Sequence, residues 1–209
     1  INKKADINIK GVSYRGHISK DIVRANLEDI ETLPSPYMLE EDKESIGNRL
    51  VYFESSRGCP YQCQYCLSSL EKGVRYYSQE YIFENLKYLI GNGAKQIKFL
   101  DRTFNLNKSH TTSIYNFLIK NYRQGLSIQF EIYADLLTDD IIDYLNNNLP
   151  SDYFRFEIGI QSTYEPTNIA VRRKQDFTLL ASNVRKIMDG AKIDLHLDLI
   201  AGLPFETYD

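Results

Sequence analysis

From Leu50 onward, short runs with apolar residues at every second position alternate with longer runs whose apolar residues recur every three or four. A strand sends successive side chains to opposite faces and a helix brings them round every third or fourth residue, so this rhythm predicts strands separated by helices. Strands are expected at 50–54, 96–100, 127–134, 153–161 and 194–200, with helices at 79–90, 109–122, 138–147 and 178–188. Ser109 and Thr138 stand where helix caps belong, Asp139 and Asp140 suit a first turn, and Gly91-Asn92-Gly93 and Gly125 suit helix ends. Strand–helix–strand connections are right-handed, so the expected fold is α/β around a parallel sheet.

The strands are not those of an ordinary parallel sheet. A parallel strand covered by helices on both faces is almost wholly apolar. Here Ser127, Gln129, Glu131 and Tyr133 oppose Ile128, Phe130, Ile132 and Ala134. Arg155, Glu157, Gly159 and Gln161 oppose Phe154, Phe156, Ile158 and Ile160, and Asp194, His196 and Asp198 oppose Ile193, Leu195, Leu197 and Leu199. Tyr52 and Glu54 add to the polar set. If helices cover the apolar faces, the polar faces converge on a shared interior containing Glu131, Glu157 and His196. The intervening helices argue against an antiparallel sheet with one wet face. A curved, partly closed barrel with a polar lumen is the better reading, and in such barrels chemistry sits at the carboxyl ends of the strands.

Residues 1–48 read as a linker or N-terminal embellishment, ahead of a core at 49–209. A strand at 7–9 and a helix at 19–30 capped by Ser19 are expected there. Pro34-Ser35-Pro36 bars regular structure, and 39–45 is an acidic, solvated run. The formal net charge of −3 does not favour general binding to nucleic acid or membrane surfaces. The sequence opens on Ile1 rather than Met and reads as a piece of something longer. A six-strand barrel needs one more helix and strand after the fifth, so the last unit is expected to be missing.

All three cysteines lie within eight residues, at Cys59, Cys63 and Cys66. A disulfide framework uses an even number spread along the chain, so these are read as ligands in a reducing compartment. Structural zinc takes four ligands, and a cubane cluster held wholly by protein takes four thiolates. Two readings stay open: a zinc ion that borrows His17, His110 or His196, or an iron left free for an exogenous ligand.

The spacing CxxxCxxC, with Tyr65 before the last cysteine, resembles the cluster loop of the radical S-adenosylmethionine (SAM) superfamily. The resemblance implies a partial (β/α)6-type barrel in which Cys59, Cys63 and Cys66 bind three irons of a 4Fe-4S cluster. SAM chelates the fourth, and its reductive cleavage gives a 5′-deoxyadenosyl radical that attacks a substrate still unidentified. It extends over residues 34–209. The phrase around Asp101 looks like the segment that meets the methionine ammonium, although the Gly-Gly-Glu run of many members is absent. Glu157, Gln161 and Ser162 fall where the family faces the nucleoside, Arg172 or Arg173 where an arginine meets the carboxylate, and Ile200 and Gly202 against adenine, continuing to Glu206 and Thr207. Tyr65 joins this cofactor-binding set, and no catalytic residue is assigned.

The linker Leu33-Pro34-Ser35-Pro36-Tyr37 looks like the bridge of bacterial iron–sulfur oxidoreductases whose barrel follows a cobalamin-binding domain. No cobalamin-binding histidine phrase is present, so cobalamin would belong to a domain outside this chain. The family further implies a cytoplasmic enzyme served by an electron donor such as flavodoxin or ferredoxin. Two other readings stand beside it: an electron-transfer protein that carries a cluster without cleaving SAM, and a zinc-stabilised binding module.

Overall fold

The computed structural model describes residues 10–21, 23–70 and 73–207, in two units, 1–34 and 35–209. The strand expected at 7–9 lies outside the described residues. In the first unit Tyr14 and His17 bridge through their backbones, at 3.0 and 2.9 Å. Helix α1 covers only Leu27–Glu31, against an expectation of 19–30. Ser19 does not cap it: its Oγ accepts from the amides of Gly11 and Asp21, both at 3.2 Å. A serine that bonds an amide two residues on forms a turn in place of a helix.

The second unit opens with a 3-10 turn, Pro36–Met38, and helix α2, Glu40–Lys43. Regular structure therefore starts at the second proline of Pro34-Ser35-Pro36, because a proline at a first helical position loses no needed N–H. The stretch read as a solvated run likewise holds a turn of helix. There follow β1 (Leu50–Phe53), β2 (Ser56–Cys59), β3 (Gly73–Tyr76), α3 (Gln79–Gly91), β4 (Gln96–Phe99) and α4 (Lys108–Lys120). Next come β5 (Ser127–Ile132), α5 (Asp139–Asn148), β6 (Phe154–Gln161), α6 (Glu165–Ala170), α7 (Phe177–Gly190) and β7 (Ile193–Leu199).

Strands β1, β4, β5, β6 and β7 form one parallel sheet in that order, each joined to the next by a helical crossover. The alternation read from the sequence holds in β5 and through most of β6. Ile128, Phe130, Phe154, Phe156 and Ile158 are fully buried, whereas Glu131 and Glu157 are half-buried on the other face. Phe130 sits at the centre of an aromatic cluster, with Phe104, Phe99 and Tyr115 ring centroids 4.4, 4.7 and 5.5 Å away. In β7 the pattern fades: Ile193 is buried, but Leu197 and Leu199 are exposed.

Strands β2 and β3 form a separate antiparallel hairpin between β1 and α3, pairing Ser56 with Tyr76 and Cys59 with Gly73. This hairpin was not expected. Gly58 makes it feasible: its φ is +100°, and a Cβ there would lie 2.2 Å from the carbonyl oxygen of Gly73. Only a residue without a side chain lets the two strands approach.

Helix boundaries also differ in instructive places. The side chain of Asn107, not that of Ser109, caps α4 by accepting from the His110 amide at 3.1 Å. Helix α5 begins after Thr138 as expected, but the threonine makes no side-chain cap bond. Asp176 caps α7 through the Leu179 amide at 2.9 Å, and the six residues of α6 fall in a stretch where no element was expected.

Candidate metal and cofactor site

Cys59 ends β2, and Cys63 and Cys66 follow in the connection towards β3. All three are free thiols, the first two buried, and all line one cavity of about 170 Å³. The loop is tied down locally by the Cys66 amide on the Cys63 carbonyl at 3.0 Å, and at long range by the Gln64 amide on the Val171 carbonyl at 2.9 Å. Thr103 Oγ1 lies 3.6 Å from Cys59 Sγ, and the Tyr133 hydroxyl lies 3.9 Å from Cys63 Sγ.

The opposite wall comes from the carboxyl ends of the sheet strands. Glu131, Ile132 and Tyr133 come from the end of β5, Glu157, Gly159 and Gln161 from β6, and Asp198 from β7. Arg102, after β4, and Arg173, after α6, complete it. Arg173 is locked in place: its guanidinium lies 4.0 Å over the Tyr133 ring and donates to the Tyr133 hydroxyl and the Gly159 carbonyl. Tyr61 stacks on Tyr133 at 4.3 Å. Burial pushes the Tyr133 and Tyr65 hydroxyls up, against the pull of Arg173, so both phenols stay neutral.

The two glutamates differ in availability. Burial alone would raise Glu157, but Lys98, at 2.8 Å, and the Gln129 amide outweigh it and hold this carboxyl below its usual range. Burial raises Glu131, because Arg102 and Lys98 approach only to 3.8 and 3.9 Å. Glu157 is thus a committed anion and Glu131 a less committed one. His196 pairs with Asp198 at 3.0 Å but is exposed, and it does not share the cavity with Glu131 and Glu157 as expected. It sits beside Glu157 in the β6–β7 register, on the edge strand of the sheet.

Of the residues singled out in the sequence, Tyr65, Glu157 and Gln161 line this cavity with the three cysteines. Asp101 does not. It is 1% exposed, and its carboxylate accepts from the Ser55 amide at 2.9 Å and from the Ser55 and Ser56 hydroxyls, each at 2.6 Å. Arg172, with φ of +57°, lines a second cavity beyond the cysteine loop, beside Pro60 and Gln62; its neighbour Arg173 reaches the first. Ser162 is buried, with Oγ accepting from the Tyr164 amide at 3.1 Å, and borders a separate pocket with Glu206 and Thr207. Ile200 donates its amide to the Gln161 carbonyl at 2.9 Å, and Gly202 is exposed with φ of +85°; neither lines the cavity. Tyr61, Arg102 and Thr103 were missed, although they neighbour residues that were named.

The donor set distinguishes what the thiols can hold. Among the described residues no three His, Cys, Asp or Glu side chains converge on a single ion, and no histidine lines the cavity. His110 is buried elsewhere, 3.0 Å from Ser55 Oγ, with its pKa lowered by burial to about 4. The cavity lining offers three thiols and no histidine, which fits a cluster with one iron left open and falls one short of the four Cys or His ligands of a structural zinc site.

Residues 53–209 match the family described as the radical SAM superfamily. The chain is 35% identical over 130 residues, 58% of its length, to a Pyrococcus horikoshii protein described as an uncharacterised methyltransferase. It is 34% identical over 86 residues, 41% of its length, to an uncharacterised protein of Bacillus subtilis. It spans only 28% and 26% of these two curated relatives. Among solved structures, the radical SAM methyltransferase TsrM from Kitasatospora setae, with cobalamin and a 4Fe-4S cluster bound, superposes with a TM-score of 0.65. That match has 16% identity and covers 80% of this chain and 33% of that one. The cobalamin-dependent radical SAM enzyme OxsB gives 0.65 at 18% identity, covering 90% and 28%. Coproporphyrinogen III oxidase from Escherichia coli, a radical SAM enzyme, gives 0.54 at 18%, covering 88% and 48%. At such identities these structures establish the fold: a partial radical SAM barrel.

Proposed function

The chain belongs to the radical SAM superfamily, and from that premise we propose that it is the core of an enzyme in which Cys59, Cys63 and Cys66 would hold a 4Fe-4S cluster and the adjoining cavity would hold SAM. The observation that carries this reading is the meeting of three free thiols with charged strand ends around one cavity. Such a cluster, when bound, would supply the single electron needed for reductive cleavage of a SAM carbon–sulfur bond.

The chain's own residues supply the cradle. Arg173, fixed by Tyr133 and Gly159, presents positive charge for a carboxylate. Glu131, Asp198 and Gln161 offer acceptors for an ammonium or ribose hydroxyls. Glu157, ionised but already paired with Lys98, contributes shape and a weaker acceptor. Ile200 and Gly202, beyond β7, together with Ser162, remain the proposed surface for the rest of the nucleoside. Tyr61 and Tyr65 give the cavity aromatic walls, which would limit the water able to quench a radical.

The names of the similar proteins extend the proposal to methyl transfer assisted by cobalamin, carried by a domain beyond these residues. The one-electron donor would be a protein such as flavodoxin or ferredoxin. No described helix is long and apolar enough to cross a membrane. Three unpaired thiols fit a reducing, cytoplasmic setting.

Anaerobic reconstitution should load about four irons per chain, and each of Cys59→Ala, Cys63→Ala and Cys66→Ala should abolish that loading. The reduced, loaded protein should release 5′-deoxyadenosine from SAM, and Cys63→Ala should release none. Full iron loading with neither SAM binding nor 5′-deoxyadenosine would overturn the enzyme reading in favour of an electron carrier.

A further inference from the structure

The segment that follows β4 touches β2 at both ends. At the start of β2, Asp101 takes its three hydrogen bonds from Ser55 and Ser56. At the far end, Thr103 Oγ1 lies 3.6 Å from Cys59 Sγ. Between Ser56 and Cys59 lie only Arg57 and Gly58, held by pairing with β3. Asp101, Ser55, Ser56, Thr103 and Cys59 are all buried.

A buried carboxylate is costly unless its lone pairs are filled. Here both oxygens are filled, and all three donors belong to the two residues that lead into the cysteine strand. His110 reinforces the joint. The one proton of the Ser55 hydroxyl goes to Asp101, so the 3.0 Å contact with His110 has the ring N–H at Nε2 as its donor. The same ring leans on Tyr76, the last residue of β3, at 4.7 Å. Among the described residues Cys66 has no hydrogen bond to Asp101 or Thr103; its carbonyl accepts from Ser69, and its loop is anchored through Gln64 to Val171.

We infer that Asp101 is a positioning residue: with Thr103 it clamps β2 at its two ends and so fixes Cys59 against the cavity wall. Its service to a metal site rests on the cluster reading given above; the clamp itself does not. Losing it frees Cys59 selectively and leaves Cys66 where it is.

The test uses the full chain, reduced and stripped of metal, in two single-thiol backgrounds, one keeping Cys59 and the other Cys66. Alkylation by iodoacetamide is timed in each. Asp101→Asn keeps the size but turns one acceptor into a donor, and should speed labelling of Cys59 about tenfold or more. Ser56→Ala removes one bond and should speed it about two- to fivefold. Cys66 should change by less than about twofold in either variant, because a local opening exposes only its own segment. Equal acceleration at both thiols would show general loosening and overturn the inference, as would an unchanged rate at Cys59. If Asp101→Asn does not fold, the Ser56→Ala comparison decides by the same criterion. With all three cysteines present and iron loaded, Asp101→Asn should lose iron faster than wild type even without SAM; equal retention would overturn the link to the metal site. Wild-type protein that takes up no iron would sink the cluster reading, and the labelling rates would still decide the clamp.

Discussion

The apolar side of the sheet and the β2–β3 hairpin are held by opposite means. Behind β5 and β6, Phe130, Phe154 and Phe156 interlock with Phe99, Phe104 and Tyr115, so each ring has several neighbours and none is indispensable to the topology. The hairpin, which carries Cys59, has strands of four residues each and leans on a few directional contacts: a glycine, two serines and one buried carboxylate. Apolar packing is tolerant because it sums many small terms. Polar contacts in a dry place are not, because each lost partner leaves another group unsatisfied. Stability and site geometry are thus stored in different parts of the molecule and should fail separately.

The largest stability effect is expected from Phe130→Ala, which empties the centre of the aromatic cluster and should cost about 3–5 kcal/mol by denaturant unfolding. The reduced protein that remains folded should still take up iron. Iron uptake that falls further than the amount of folded protein does would erase the separation drawn here. Gly58→Ala comes next, at roughly 2–3 kcal/mol, from a left-handed residue that gains a Cβ and a neighbouring carbonyl that must yield. Its effect on iron loading should exceed its effect on the melting temperature, the reverse of Phe130→Ala.

The most gradual effect is a pH dependence. Burial lowers His110 to about 4, below the ordinary histidine value, so the unfolded chain binds the extra proton first as pH falls. Stability from this group is present above the unfolded pKa and is lost as pH drops towards 4, with a slope of at most about 1.4 kcal/mol per pH unit. His110→Gln should flatten that part of the stability profile; an unchanged slope between pH 6 and 4 would mean that other groups cause it.

The contrast also explains what could be read from the sequence. The five sheet strands and four long helices were legible because each repeats one signal over many residues, as Ser127–Ile132 does with its strict alternation. Ser-Arg-Gly-Cys does not alternate and Gly-Val-Arg-Tyr does so over only four residues, so the hairpin left little periodic trace. Asn107 and Ser109 are both good caps two residues apart, and only the backbone at Asn107 decides between them. The three cysteines were legible as ligands because their spacing is local. The fate of Asp101 was not, since its partners lie 45 and 46 residues earlier in the chain and only folding brings them together. Glu131 and Glu157 sit on the same face of adjacent strands in direct register, yet Lys98 favours one of them, a choice that periodicity does not encode.

The bond from Lys98 to Glu157 has a mechanical side. It leaves β4, passes over β5 and ends on β6, so it ties alternate strands together. A ladder of backbone bonds fixes the spacing of neighbours but lets the whole sheet flex like a hinged screen. A strut that skips a panel resists that flexing. Both ends of this one are about a quarter exposed, so salt should weaken it only modestly. The part of the cavity wall that Glu157 supplies is therefore braced by one cation and one anion as well as by the backbone.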